Sequence, residues 1–193
     1  MKLVFATNNQ HKLKEISAMA GKFFEIVSLS DIGCFDEIPE TGETLEENAI
    51  QKAMYVWEKY GLACFADDTG LEIDALDGAP GVITARFAGE NCTPADNIKK
   101  TLELMQDKTN RDACFRTVIA CIIDGEEYIF EGAVYGTIAT EIMGSEGFGY
   151  DPIFIPEGHD ISFAEMPMEL KNSMSHRGRA TKEFLTFIHE ITD

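Results

Sequence analysis

Basic residues are scarce in this chain: 16 Lys and Arg stand against 34 Asp and Glu, a formal net charge of −18 over 193 residues. So acidic a surface repels a phosphate backbone, which excludes nucleic acid over most of it and obliges any small anionic ligand to find a local positive site or a metal. Long apolar runs are missing too. No window approaches the roughly 18 consecutive apolar residues of a membrane helix. The stretch MKLVFATNNQ turns polar too early for a secretory leader, so a cytoplasmic protein without a membrane partner is expected. The five cysteines, Cys34, Cys64, Cys92, Cys114 and Cys121, form no C-x-x-C pair and are odd in number. That argues against zinc and against a disulfide framework, and for reduced core thiols. Repeats, low-complexity tracts and Pro/Ser-rich linkers are absent as well. One domain over 1–193 is expected, or two closely joined lobes sharing one sheet.

What is present suits a packed α/β globule, with 45% hydrophobic residues and 13 Phe. Leu3 to Ala6 reads as a strand, Thr7 to Gln10 as a polar turn, and His11 to Lys22 as a helix with Leu13, Ile16 and Ala20 inward. Phe24 to Leu29 reads as a second strand. Thr44-x-x-Glu47 is a capping box opening a long helix, with its apolar stripe through Leu45, Ala49, Ala53, Val56, Trp57 and Tyr60 and its end at Gly61. Leu62 to Ala66 is a strand running into Asp67-Asp68. Thr93-Pro94-x-Asp96 starts a helix with Ile98, Leu102 and Met105 on one face. Ala113 to Ile123 and Tyr128 to Ala139 are strands joined at Asp124-Gly125, a hairpin signal. A Gly-rich loop over Gly144 to Tyr150, a short strand over Ile153 to Ile155 and a final helix containing Thr181 to Ile191 complete the chain. Helical and hairpin connections together imply a mixed sheet.

The adjacent acids of Ala66-Asp67-Asp68-Thr69-Gly70 ask for a positive partner. Asp68-Thr69-Gly70 matches the D-[ST]-G of aspartic proteases, with Ile142-Met143-Gly144 as its mimic of the partner motif. Yet Asp67 would add a third charge to a site built for two carboxylates, and the long helices do not suit an all-β protease. A divalent cation answers the clustering better, and magnesium accepts one or two carboxylates with waters and phosphate oxygens. Further acids lie upstream in Pro39-Glu40-Thr41-Gly42-Glu43. A solvated turn remains the alternative for Asp67-Asp68, and capping its own helix accounts for Glu47.

Thr7-Asn8-Asn9-Gln10-His11-Lys12 lies where a strand yields to a helix, a place that favours an anion. It has no glycine and is no Walker loop, so side-chain amides and Lys12 would contact phosphates; a polar turn with an N-cap is the plainer alternative. Four of the 16 basic residues fall between Lys171 and Lys182, with no acid among them. Lys171, His176 and Arg177 lie before or near the N-terminal turn of the last helix. They invite an anion there, or form a solvated face. Phe148-Gly149-Tyr150-Asp151 offers an aromatic surface for a purine, or a β-bulge before a strand.

In this order, Thr7-x-Asn9-x-x-Lys12, Glu40-Thr-Gly, Glu47-Asn48-Ala49, Ala66-Asp-Asp-Thr-Gly-Leu71, Gly78-Ala-Pro-Gly81, Phe148-Gly-Tyr-Asp-Pro152, Lys171 and Ser175-His-Arg-Gly178 resemble the inosine/xanthosine triphosphate pyrophosphatases over nearly the whole chain. The resemblance implies a mixed central sheet flanked by helices, two lobes with a nucleotide cleft between them, and a homodimer, to which Val82 to Phe87 could contribute apolar surface. It implies that Thr7, Asn8, Asn9, Gln10, His11 and Lys12 hold the triphosphate, and that Glu40 and Asp68 hold Mg2+, with Asp68 also the general base. Thr69, Phe148, Gly149, Tyr150, Asp151, Lys171, His176 and Arg177 would contact the nucleotide, and Asp67 would orient a water. The expected activity is hydrolysis of ITP, dITP and XTP to monophosphate and pyrophosphate. A non-catalytic nucleotide sensor and a pyrophosphatase for modified pyrimidine or methylated nucleotides are the rivals.

Overall fold

The computed structural model describes residues 1–21 and 24–192. Seven strands form a mixed sheet in the order β2-β1-β3-β5-β6-β7, with β4 paired to β3. By contacts the chain divides into two compact units, one of residues 1–68, 117–132 and 177 onward, the other of 69–116 and 133–176.

In the first unit, β1 (Lys2–Phe5) lies parallel to β2 (Glu25–Ser28) and to β3 (Cys64–Ile73), placing Phe5 opposite Phe65. Helix α1 (Gln10–Ala20) starts at Asn9, whose side chain caps it, and buries Ile16 and Ala20. The last residue of the predicted helix, Lys22, lies outside the described residues. Helix α2 (Leu45–Tyr60) carries the expected reciprocal cap between Thr44 and Glu47 and ends at Gly61. It buries Leu45, Ala49, Ala53 and Val56, whereas Trp57 and Tyr60 stay half-buried. The long helix α5 (His176–Thr192) sends Ala180, Phe184 and Ile188 into the same core. There Phe5 stacks on Phe65 at 4.4 Å and Phe65 meets Phe184 at 4.9 Å.

The second unit packs α3 (Pro94–Leu104) through Ile98, with Met105 just past its end, against Leu71, Ile73, Phe115, Val134, Ile138, Phe154 and Phe163. Thr93 and Asp96 cap α3 reciprocally, as their spacing predicts. Strands β5 (Asp112–Ile123) and β6 (Glu126–Ile138) flank the two-residue turn Asp124-Gly125, where both residues have positive φ, 53° and 85°, as a type I′ hairpin requires. Short strands complete the unit: β4 (Pro80–Gly81) antiparallel to β3, and β7 (Phe154–Pro156) antiparallel to β6.

One expectation needs correction. Strand β3 does not end before the acids; it continues through Asp67, Asp68, Thr69 and Gly70 to Ile73. Leu71 and Ile73 are fully buried and anchor the continuation, and the acids tolerate a buried strand because cations meet them there. Lys171 lies before the last helix, as expected. It belongs to a separate short helix, α4 (Met168–Met174), which breaks at Ser175. Of the five cysteines, Cys34, Cys64, Cys114 and Cys121 are buried free thiols, as expected of core residues, and Cys92 is half-buried. Burial pushes the Cys64 and Cys121 thiols up to about 12, which keeps them protonated and unreactive. No helix among the described residues is long and apolar enough to cross a membrane.

Candidate active site

Asp67 and Asp68 point to opposite sides of β3, as neighbours on a strand must, and each meets its own cations. Asp67 is 1% exposed. Lys12 Nζ lies 3.0 Å from its Oδ1, and Arg177 Nε donates to its Oδ2 at 3.1 Å. Arg177 also donates from Nη1 to Glu15 Oε2 at 2.6 Å. Glu15 and Lys12 are three residues apart on α1 and so share a face. The loop before α1 is locally ordered by its own side chains. Asn9 Oδ1 accepts from the N–H groups of His11 and Lys12, and Thr7 Oγ1 accepts from Asn9 N–H. Asn8, Asn9, Gln10 and His11 are exposed, and Thr7 and Lys12 are half-buried.

On the other side, Lys52 Nζ reaches Asp68 Oδ1 at 3.3 Å and also pairs with Glu40 Oε1. Asn48 Nδ2 donates to Asp68 Oδ2 at 3.3 Å. Asn48 and Lys52 stand four residues apart on α2, so one helix face delivers both to the same carboxylate.

The two carboxyls are held in opposite senses. Burial alone would push Asp67 up, but Lys12, Arg177 and Lys52 outweigh it and hold the group below the usual carboxylate range. Burial raises Asp68, and Glu40 and Asp67 add to this; Lys52 and Lys12 offset only part of it. For Lys52, burial opposes the charge, but Asp68 and Glu40 prevail and its ammonium is raised. Lys12 is lowered, by burial first and by Lys52 and Arg177 next, despite the pull of Asp67. Asp67 is thus a fixed anion, whereas Asp68 is a carboxylate made more basic by its surroundings.

Magnesium fits this donor set. Glu40 and Asp68 converge on a single cationic point, the Lys52 ammonium, so hard carboxylate oxygens already face one positive centre. The Glu40 side chain is 36% exposed, which leaves the group accessible. No group of three or more His, Cys, Asp or Glu side chains forms a closed metal cage among the described residues. Magnesium needs none, because it takes one or two carboxylates and fills its shell with waters and phosphate oxygens.

The second unit carries a separate cluster. Asp151 Oδ2 accepts from Phe148 N–H at 2.8 Å within the turn and from Lys171 Nζ of α4 at 2.7 Å. The Lys171 ammonium lies 4.8 Å from the centre of the Phe148 ring, a cation–π contact. Tyr150 is buried, its hydroxyl donates to Thr84 O at 2.8 Å, and burial pushes its pKa up. His176 is buried flat against Phe115, with ring centres 4.5 Å apart and planes at 13°. Gly149 and Thr69 are half-buried. The N–H groups of Phe148 and Asp151 are both spent within the loop, the latter on Phe148 O.

The structure therefore gathers Lys12, Glu40, Asp68 and Arg177 in one unit, and Phe148, Tyr150, Asp151, Lys171 and His176 in the other, with Thr69 opening the second. Arg177 is committed to Asp67 and Glu15 through two of its five donors. Sequence reasoning missed Lys52, Glu15 and the link from Asn48 to Asp68. A signal existed for Lys52: a lysine between Gln51 and Ala53 on the buried stripe of α2 has no apolar reason to be there.

A mixed α/β chain whose helices bring lysines onto the adjacent acids of one strand, with a Gly-rich aromatic loop beside a buried lysine, belongs to the class of proteins that handle phosphorylated ligands. Residues 3–187 match the Ham1 family, and the chain belongs to that family. It is 55% identical over 188 residues to the dITP/XTP pyrophosphatase of Porphyromonas gingivalis, covering 97% of each chain. It is 51% identical to the dITP/XTP pyrophosphatase of Flavobacterium johnsoniae, covering 97% of this chain and 98% of that one. The solved structure of the Staphylococcus aureus Ham1 protein superposes with a TM-score of 0.90 at 36% identity, covering 99% of this chain and 100% of that one.

Proposed function

We propose that this chain hydrolyses deaminated purine nucleoside triphosphates, ITP, dITP and XTP, to the monophosphate and pyrophosphate, and so keeps them out of DNA and RNA. The observation that carries the chemistry is the convergence of Asp68 and Glu40 on one cationic point beside Lys12. The kinship with dITP/XTP pyrophosphatases over 97% of the chain supports the substrate.

Phosphoryl transfer needs position and charge neutralisation more than covalent help. Asp68, raised by burial, accepts the proton of the attacking water at a carboxylate oxygen. The water oxygen bonds to the α-phosphorus as the bond to the bridging oxygen breaks, and pyrophosphate leaves. Lys12 and the loop from Thr7 to His11 bind the phosphates, and the ammonium of Lys12 meets the charge that grows on the leaving group. Magnesium, held by Glu40 and Asp68, would supply further charge neutralisation on the phosphate oxygens. Asp67, locked by Lys12 and Arg177, fixes the strand that presents Asp68; its side chain is fully buried on the other side of that strand, so the expected water-orienting role is not kept.

Base choice belongs to the 148–151 loop, Lys171 and His176. A 6-keto oxygen accepts a hydrogen bond from a donor such as His176, and an adenine 6-amino group does not. A buried donor left unpaired can discriminate by up to about 10⁴-fold. Since Phe148 and Asp151 spend their N–H groups internally, the loop's donors to the base fall to Gly149 and Tyr150. The protein works as a cytoplasmic homodimer in this reading; half-buried Val82 and exposed Ile83 offer surface to a second copy, whereas Phe87 is buried in its own fold.

Product analysis tests the proposal. Incubation with ITP should release pyrophosphate and IMP in equal amounts, and Asp68→Asn should lower kcat by about 10²-fold or more. Stepwise release of orthophosphate, or equal rates with ATP and ITP, would overturn it.

A further inference from the structure

Glu47-Asn48-Ala49 contains a residue that the proposed chemistry leaves without a task. Asn48 is 1% exposed and lies on the face of α2 turned toward β3. A buried amide needs partners at both ends, and Asn48 has two of particular interest. Its Nδ2 donates to Asp68 Oδ2 at 3.3 Å, and its Oδ1 accepts from Gly42 N–H at 2.8 Å. The first partner is the proposed base. The second belongs to the loop that carries Glu40, two residues before Gly42. That loop is pressed onto the amide: a Cβ at Gly42 would stand 2.9 Å from Asn48 Oδ1 and 2.6 Å from Glu47 Cβ.

The remaining loop contacts do not reach Asp68. Glu47 Oε2 accepts from Glu43 and Thr44 N–H, and Gln51 ties Thr41 by two hydrogen bonds. Lys52 does reach both Glu40 and Asp68, but through a flexible ammonium point charge. The amide of Asn48 is planar, short and directional. Holding the loop needs only the acceptor Oδ1, which leaves the donor aimed at Asp68 without a structural reason.

We infer that Asn48 is a positioning residue for hydrolysis: its side-chain amide couples the Asp68 carboxylate to the Glu40 loop and fixes which Asp68 oxygen stays on Asn48 and which is left to the chemistry. The inference rests on the reading of Asp68 as the general base. Asn48 touches neither water nor phosphate in this scheme. It acts through Asp68, by holding Oδ2 so that Oδ1 keeps one orientation.

Steady-state kinetics with ITP on Asn48→Ala, Asp68→Asn and the double variant separate the possibilities. Asn48→Ala should lose about 10- to 100-fold in kcat, the cost of a misplaced catalytic group, with KM changed less than about threefold. In the Asp68→Asn background the same substitution should cost nothing further, because its effect runs through the Asp68 carboxylate. Asn48→Asp keeps the acceptor for Gly42 N–H, loses the donor and sets a like charge beside Asp68, so it should fall at least as far as Asn48→Ala. It also serves as the readout if the alanine variant does not fold. Additive losses in the double variant, a change confined to KM, or kcat within twofold of the parent for Asn48→Asp would overturn the assignment. If Asp68→Asn itself keeps near-parental kcat, the reading of the base has failed, and the assignment of Asn48 falls with it. If Asp68→Asn is inactive and Asn48 is tolerant, only the assignment of Asn48 falls.

Discussion

Arg177 and Asp67, 110 residues apart in the chain, meet in a buried ion pair, Nε to Oδ2 at 3.1 Å, while Arg177 Nη1 holds Glu15. The pair ties α5 to β3 and α1. Removing Arg177 leaves buried Asp67 to Lys12 alone and takes a charged partner from buried Glu15, so Arg177→Met should destabilise the protein by about 3–5 kcal/mol in urea unfolding. The folded Asp67 carboxyl lies below its ordinary value, so its contribution is present above the unfolded pKa of about 3.9 and is lost as pH falls through the folded one. The gap between parent and variant should therefore be widest near neutrality and narrow on acidification below about pH 4. A gap independent of pH would contradict the pairing.

Lys52 governs the proposed base. Its ammonium lowers Asp68, which burial, Glu40 and Asp67 raise. A general base works only when ionised, so kcat/KM climbs with pH through the Asp68 pKa of the free enzyme. In Lys52→Met the larger part of the offset is gone, leaving only Lys12, and Asp68 moves further up. The acid limb of the kcat/KM profile for ITP should shift to higher pH, with the greatest loss of activity at low pH. A limb that stays in place, or moves down, would separate Lys52 from the titrating group.

The parts of this architecture that were legible in the sequence are local ones. Thr44 with Glu47, Thr93 with Asp96, and Asp124-Gly125 each settle a boundary through residues within three positions of one another. The Asp67-Asp68 pair was legible as a demand for positive charge, but the cations that meet it come from positions 12, 52 and 177. Only the sheet brings them there, and without them two acids look like the end of a strand. Helix α4 was hidden for a different reason. It is 7 residues long, follows Pro167 with no side-chain cap, and carries no apolar stripe long enough to show a period. Lys171 itself was legible in the basic run from 171 to 182, which the structure divides between α4 and α5.

Glu40 and Asp68 are the expected magnesium ligands, and removal of metal checks them. EDTA should abolish ITP hydrolysis, and added Mg2+ should restore it. Because Glu40 is the more exposed of the two carboxylates, Glu40→Gln should keep the fold and raise the Mg2+ concentration needed for half-maximal rate at least about tenfold. Full activity in chelator would remove the metal from the scheme and leave Lys52 as the cation between the two acids.

The turn at Gly147 offers a test confined to the nucleotide side. Its φ of 74° is left-handed, and a Cβ built there would lie 2.2 Å from Asp151 Oδ2. Asp151 is fixed by Phe148 N–H and by Lys171, so it cannot retreat without giving up a hydrogen bond or an ion pair. Gly147→Ala should therefore disturb the Phe148–Asp151 turn and the Lys171 ammonium under the Phe148 ring, raising KM for ITP by roughly tenfold, the equivalent of about 1.4 kcal/mol. Asp68 and its partners belong to the other unit, so kcat should change less than KM. Gly149 shares the left-handed conformation at φ 60° but has no atom within 4 Å of its Cβ position. Gly149→Ala meets only the backbone cost of about 1–2 kcal/mol and spares Asp151, so it should raise KM less. If both variants lowered kcat alone, the 148–151 loop would serve the chemical step, and the assignment of base binding to it would fail.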